Sequence, residues 1–262
     1  MQLYFIRHAQ SKNNALYDST NDYTNRSADP ELTEKGHAQA RLLAAYIGKR
    51  QQGNAADGAE AHDHLGFGLT HLYSSLMVRA VSTASCIAQQ LGLVHIAWPD
   101  IHEGGGIYLD DPMTGQPNSL PGNGRAFFKT HYPDLILPDW LEDDGWWNRP
   151  YETRPMRRER ARRFIHELLS RHGSNNDRVA VISHGGFYNH FLAALFNMSD
   201  GSAKPSAESI QSQNDENAIL GQENELWFVL NNTAITRIDF SPSETRVIYM
   251  NRIDHLPGDL IT

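Results

Sequence analysis

Apolar runs of strand length alternate with helical periods along most of this chain, and each run stops at a polar residue. Gln2 to Arg7, Thr70 to Tyr73, Val94 to Trp98 and Arg178 to Ser183 read as strands. After the first, Thr33 reads as the N-cap of a helix reaching about Lys49, with Ala38, Leu42, Ala45 and Tyr46 on one face. Further helices are expected from Ser74-Ser75 to about Leu91, from Arg157 to Arg171 and from about Phe187 to Phe196. The third carries Ala161, Phe164, Ile165, Leu168 and Leu169 as its apolar stripe. A strand that returns through a helix to the same sheet runs parallel to its predecessor, and the helices then cover both faces. Ala234 to Phe240 and Arg246 to Met250 are separated only by the turn Ser241-Pro242-Ser243, so an antiparallel hairpin closes one edge. The expectation is a three-layer αβα sandwich with a mostly parallel sheet and an antiparallel edge.

Its 262 residues read as one domain, 1–262, interrupted by insertions. Residues 51–66 are rich in Gly, Ala, Asp and His and read as a surface loop. Residues 104–155 lose periodicity and carry Trp140, Trp146, Trp147 and Tyr151, an aromatic cluster that suits a lid or a satellite core, the lid being favoured because the insertion lies between Glu103 and the fourth strand. Residues 199–224 are polar, Ser/Asn/Gln-rich and expected to be mobile. The formal charge of −8 argues against nucleic acid as a partner. A single cysteine, Cys86, excludes an internal disulfide and favours a reducing compartment. The first strand begins at once and no apolar run reaches membrane-spanning length, so a cytoplasmic protein with no membrane partner is expected. No interface stripe reveals an oligomer.

The chemistry sits at the strand ends. Arg7-His8 closes the first strand, and Ser74-Ser75 closes the second, with Arg79 in the opening turns of the next helix. Glu103 lies just past the third, and His184-Gly185-Gly186 follows the fourth. In a parallel sheet all of these share the edge where ligands bind. Arginine forks match phosphate oxygens, and a neutral imidazole can attack phosphorus or hold a metal. Two histidines, two arginines and one carboxylate suit phosphoryl transfer without a metal. The arginines would neutralise equatorial charge, one histidine would attack in line, and Glu103 would move the proton.

The residues carrying this chemistry resemble motifs of the histidine phosphatase superfamily, also called phosphoglycerate mutase-like. Arg7-His8-Ala9-Gln10-Ser11 with Asn14 is similar to its Arg-His-Gly-Glu-Thr opening, and Leu32-Thr33 through Gly36 to Gln39-Ala40 is similar to its second segment. Ser74-Ser75 with Arg79, Thr83 and Ala84, then Val181 to Gly186, then Asn232 to Thr236, follow in the same order. The resemblance implies a phosphoglycerate mutase-like fold and a metal-independent phosphatase without cofactor, acting on a small phosphorylated substrate. It implies that His8 is the phosphorylated nucleophile, that Arg7, Arg79 and His184 form the phosphate pocket, and that Glu103 is the acid/base. Ser11, Asn14 and Gly185 are expected to touch phosphate, although Ser11 and Asn14 equally suit a capped turn. Ala9 and Gln10 depart from the motif's Gly and Glu and are expected to bear on substrate preference.

Several readings compete with this one. A phosphoglycerate mutase would use the same pocket, but Gly104-Gly105-Gly106-Ile107-Tyr108 lacks the segment expected of glycolytic mutases. An inactive interaction protein on the same fold is disfavoured by retention of both histidines, both arginines and the glutamate. Asp100 and Asp110 compete with Glu103 for the acid role without its glycine-rich context. Arg154, Arg157, Arg158, Arg160, Arg162 and Arg163 read as a solvated helix face beside Glu152, Glu159 and Glu167. His62-Asp63-His64 has metal-like spacing, yet its surroundings point to a surface loop.

Overall fold

A computed structural model describes residues 1–49, 63, 66–196 and 227–262. In chain order the elements are β1 (Gln2–Arg7), α1 (Lys12–Thr20), α2 (Glu34–Gly48), β2 (His71–Ser74), α3 (Val78–Leu91) and β3 (His95–Ala97). The 104–155 region contributes β4 (Tyr108–Asp110), β5 (Pro117–Ser119), α4 (Arg125–His131) and β6 (Leu135–Ile136). Then follow α5 (Arg154–His172), β7 (Arg178–Ser183), α6 (Gly185–Leu195), β8 (Ile235–Phe240) and β9 (Thr245–Arg252). Among the described residues the main sheet runs β6-β3-β2-β7-β1-β8-β9. Its first five strands are parallel, and β8 and β9 complete it antiparallel. This is the expected αβα sandwich.

The two-residue period of the central strands builds both cores. Leu3 and Phe5 of β1, with Val179 and Val181 of β7, face Phe164 of α5 and Phe187 and Phe191 of α6. Tyr4, Ile6, Ala180 and Ile182 face the other way, against Leu43 of α2 and Ala80, Ala84 and Ile87 of α3. Each buried large side chain contributes about 1.5–3 kcal/mol. A strand covered on both sides cannot slip by one residue without exchanging its two faces. That rigidity holds the ends of β1 and β7 in register.

The structure corrects several expectations. The buried stripe of α2 is Gly36, Gln39, Ala40, Leu43, Ala44 and Ile47, one position away from the expected stripe, and Leu42 is exposed. Alanines all round this helix support either stripe; what decides is polar. Gln39 accepts from the Gln10 amide and donates to Leu260, and Gly36 lies so close that a Cβ would come within 2.1 Å of the Gln10 carbonyl. Helix α3 starts at Val78, since β2 runs through Ser74, whose hydroxyl meets His95, while the Ser75 hydroxyl meets His184. Helix α1 was not expected, because no residue of it is buried and no apolar stripe betrays it.

Strand β6 is two residues long and joins the sheet edge beside β3. Trp146 and Trp147 are not a lid: both are buried in a satellite core with Leu76, Met77, Phe128 and Leu141. Arg160 departs from the solvated face. It is 1% exposed, pairs in a fork with Glu152 at 2.6 and 2.7 Å, and donates to the Asp100 and His102 carbonyls. Asp63 is likewise buried rather than on a surface loop, and it accepts from Tyr4, Tyr249 and Arg237. His62, His64 and most of the expected insertion at 51–66 lie outside the described residues, as does all of 199–224.

Candidate active site

Arg7 and Ser183 are register partners at the ends of parallel β1 and β7. The next residue of each strand is therefore a histidine beside a histidine, and the rings of His8 and His184 lie 5.0 Å apart. β2 runs parallel to β7, and β3 to β2, so Arg79 and Glu103 arrive at the same edge. The structure brings together all five residues singled out for catalysis. They surround a cleft of about 580 Å³ whose lining includes Arg7, His8, Ser11, Asn14, Arg79, Glu103 and Gly185. His184 lies directly behind it, fully buried.

Hydrogen-bond logic assigns the His8 tautomer. Its Nδ1 is 2.7 Å from the Ala9 carbonyl, which can only accept, so Nδ1 carries the proton. Nε2 is left with its lone pair and accepts from Nε of Arg79 at 3.1 Å. Burial, then the charges of Arg79 and Arg7, hold the imidazole well below its ordinary pKa, so it is neutral. His184 is depressed for the same first reason, with Arg79 and His8 adding to it. Its Nε2 meets the Ser75 hydroxyl at 2.7 Å, and its buried Nδ1 has no hydrogen-bond partner.

The guanidiniums are also short of partners. Arg7 donates from Nη1 to the Leu230 carbonyl, but its buried Nε is unbonded. Nη1 of Arg79 is buried and unbonded, with Asp29 at 3.6 Å. Burial lowers the pKa of both arginines. Asp29 is pushed up to about 6, chiefly by its own burial, with Arg79 pulling the other way. It also accepts from the Val78 amide at the start of α3. Sequence reasoning missed Asp29: it sits in an irregular segment, and nothing local marks it as an arginine's partner.

Glu103 is held by the start of α6. Its carboxylate accepts from the amides of Gly104, Phe187 and Gly186 at 2.8, 2.9 and 3.1 Å. Backbone donors at a helix N-terminus suit a carboxylate. Gly186 is required there, because a Cβ would stand 2.4 Å from Oε1 of Glu103. The approach to Glu103 is fastened twice. Ser183 donates to the Ile101 carbonyl at 2.7 Å, and buried Arg160 grips Asp100 and His102.

Ser11 is the N-cap of α1 in a reciprocal capping box with Asn14, and both also line the cleft. Asn14 is fixed further by Asn232. Ala9 and Gln10 do not line the cleft. Ala9 packs with Leu32 and Ala40, while Gln10 donates to Asp18 and accepts from Thr33. Asp110 lies at the cleft's rim, and Asp100 is absent from its lining.

Three groups of metal-ligand type, His71, His172 and Asp177, converge elsewhere. They lie at the start of β2, the end of α5 and just before β7, the opposite end of the sheet from the cleft. There the network closes on itself: His172 donates to Asp177 at 2.8 Å and meets Tyr73 at 3.1 Å.

A model of the histidine phosphatase superfamily (branch 1) matches residues 3–207. The chain belongs to that superfamily. It is an enzyme of histidine phosphatase type, a phosphoester hydrolase working through a histidine site. Among curated proteins, none matches it. Solved structures share its fold at low identity. A phosphoserine phosphatase mutant of Entamoeba histolytica in complex with phosphoserine is 19% identical, with 98% of this chain and 99% of that one covered and a TM-score of 0.52. A mycobacterial glucosyl-3-phosphoglycerate phosphatase is 18% identical, covering 95% and 98%, at 0.51. A putative alpha-ribazole-5'-P phosphatase of Escherichia coli is 16% identical, covering 96% of each chain, at 0.55. Among the described residues, no helix of this histidine phosphatase is long and apolar enough to cross a membrane.

Proposed function

We propose that this histidine phosphatase hydrolyses a small phosphate monoester without a metal, through a phosphohistidine on Nε2 of His8. The observation that carries the reading is that this nitrogen is unprotonated, its lone pair turned to the Arg79 guanidinium at 3.1 Å. Its ring is neutral and locked by the Ala9 carbonyl, and it faces a buried arginine with unmet donors. A phosphate dianion would satisfy the spare N–H groups of Arg7 and Arg79 and the buried Nδ1 of His184. The lone pair of Nε2 forms the bond to phosphorus as the ester P–O bond breaks, and Glu103, entering the cycle as the carboxylic acid, gives its proton to the departing oxygen and is left as the carboxylate. Glu103 then takes a proton from water as the water oxygen attacks phosphorus, and the N–P bond breaks to restore neutral His8. Its three amide donors hold the carboxylate beside the start of α6, ready to accept that proton. Ser11, Asn14 and Gly185 border the same cleft and serve as further phosphate contacts.

The decisive experiment is turnover of an aryl phosphate in EDTA by the protein and by His8→Ala. The expected result is hydrolysis that survives chelation and falls by on the order of 10,000-fold in the variant. Rapid quench with a phosphorus-labelled substrate should trap an acid-labile phosphoenzyme. Activity lost with EDTA, or retained in His8→Ala, would sink the mechanism.

A further inference from the structure

The arginines at the floor of the cleft account for one phosphoryl group, and a third arginine lies beyond them. Arg26 lines the same cleft on the segment between α1 and α2. The segment is pinned: Asn13 exchanges two hydrogen bonds with the backbone of Ser27, and the Arg26 amide donates to the Tyr23 carbonyl. Tyr23 in turn stacks on Tyr17 of α1 at 4.7 Å. The guanidinium lies over the ring of Tyr108, 4.2 Å from its centroid. Tyr108 is itself braced edge-on by Tyr151.

A cation held this rigidly has almost nothing to bind. Among the described residues its one side-chain hydrogen bond runs from Nη2 to Asp110 at a long 3.4 Å, and Asp110 is mostly exposed and therefore well hydrated. Only 14% of the Arg26 side chain is exposed, so its remaining donors have little water around them and stay open to a ligand in the cleft. Its charge also reaches the phosphate pocket, since it acts on Arg79. Stacked, preorganised guanidinium forks are suited to carboxylate and phosphate.

We infer that Arg26 forms a second anion subsite, and that the preferred substrate is a monoester whose leaving group carries a carboxylate or second phosphate beside the transferred phosphoryl. Asp110 is the internal competitor that the substrate's second anion displaces. This rests on the cleft being the phosphate site proposed above.

The test compares three esters: phospholactate, isopropyl phosphate, which has a methyl in place of the carboxylate, and propanediol bisphosphate. With wild type, kcat/KM for at least one of the two esters with an anionic leaving group should exceed that for isopropyl phosphate by on the order of 10-fold, mostly through KM. Whichever of the two is favoured identifies the second anion as carboxylate or phosphate. Arg26→Gln should bring the ratio close to one, Arg26→Lys should retain part of it, and Asp110→Asn, at an exposed position, should raise it. Equal rates on all three esters, or a ratio unchanged in Arg26→Gln and Asp110→Asn, would overturn the subsite. Calorimetric binding to His8→Ala separates the two proposals. If that protein discriminates between the esters through Arg26 while wild type hydrolyses none, the subsite stands and the hydrolytic reading falls.

Discussion

Two arginine clusters of this molecule have opposite electrostatics. Arg237 of β8 donates a two-pronged pair to Asp239 at 2.8 Å and a further bond to Asp63 at 2.9 Å. Burial opposes its charge, but those carboxylates outweigh burial and its pKa is raised. Tyr4 and Tyr249 complete the carboxylate of Asp63. Arg79 is buried and Arg7 half-buried, yet among the described residues Arg7 has no carboxylate partner and Arg79 has only Asp29 at 3.6 Å. Their pKa values fall. A closed cluster holds the fold together, and an open one is held by the fold. Leaving positive charge uncompensated costs stability, and a bound anion returns it.

The comparison can be broken most directly by exchanging each arginine for an apolar residue of similar length. Arg7→Met should lower kcat/KM by on the order of 1,000-fold or more, measured with an aryl phosphate. Its urea midpoint should stay level or rise, because an unpaired, half-buried charge is removed. Arg237→Met should do the reverse. It strands Asp63 and Asp239, so a loss of about 3–5 kcal/mol in urea unfolding is expected, with turnover per folded molecule little changed. If both variants lose stability alike, the open cluster is not open.

The half-paired member, Asp29, sharpens the contrast through pH. Its folded pKa of about 6 lies above its unfolded value, so the fold favours the protonated acid. Wild type should therefore lose stability as pH rises from the ordinary carboxylate range through about 6. Asp29→Asn should remove a slope worth on the order of 3 kcal/mol from the difference between the two profiles. Buried His8 and His184 act in another window. Their folded pKa values are depressed, so their contribution is intact above about 6.5, and stability is lost as pH falls below that. A difference profile flat through the acid range would show that Asp29 is not buried as an acid. A smaller effect comes from inorganic phosphate. At 100 times its Kd it should stabilise wild type by about 2.7 kcal/mol in thermal unfolding, and equally so Arg237→Met, with the effect largely lost in Arg7→Met.

Much of the fold was legible in the chain. Gln2–Arg7 and Arg178–Ser183 are found at their expected bounds, because buried parallel strands must be continuously apolar and must end where polarity begins. The edge hairpin and the shared edge of His8, Arg79, Glu103 and His184 follow from the same pattern. Other features left no such mark. The packed face of α2 is decided by Gln39 and Gly36, whose partners are residues 10 and 260, and no local period records them. The two-residue strand β6 is too short for a period, and the tryptophan pair resembles a lid until its buried neighbours are seen.

Sequence by itself therefore determined which groups are present at the strand ends and in what order, because secondary structure and strand polarity are local properties. Tertiary structure alone decided which charges are paired. Asp63 and Asp239 reach Arg237, Glu152 reaches Arg160, and among the described residues Arg7 is left without a carboxylate. The reason is physical: in a low-dielectric interior an ion's state depends on the few atoms touching it. Except for neighbours on one element, those atoms come from distant parts of the chain.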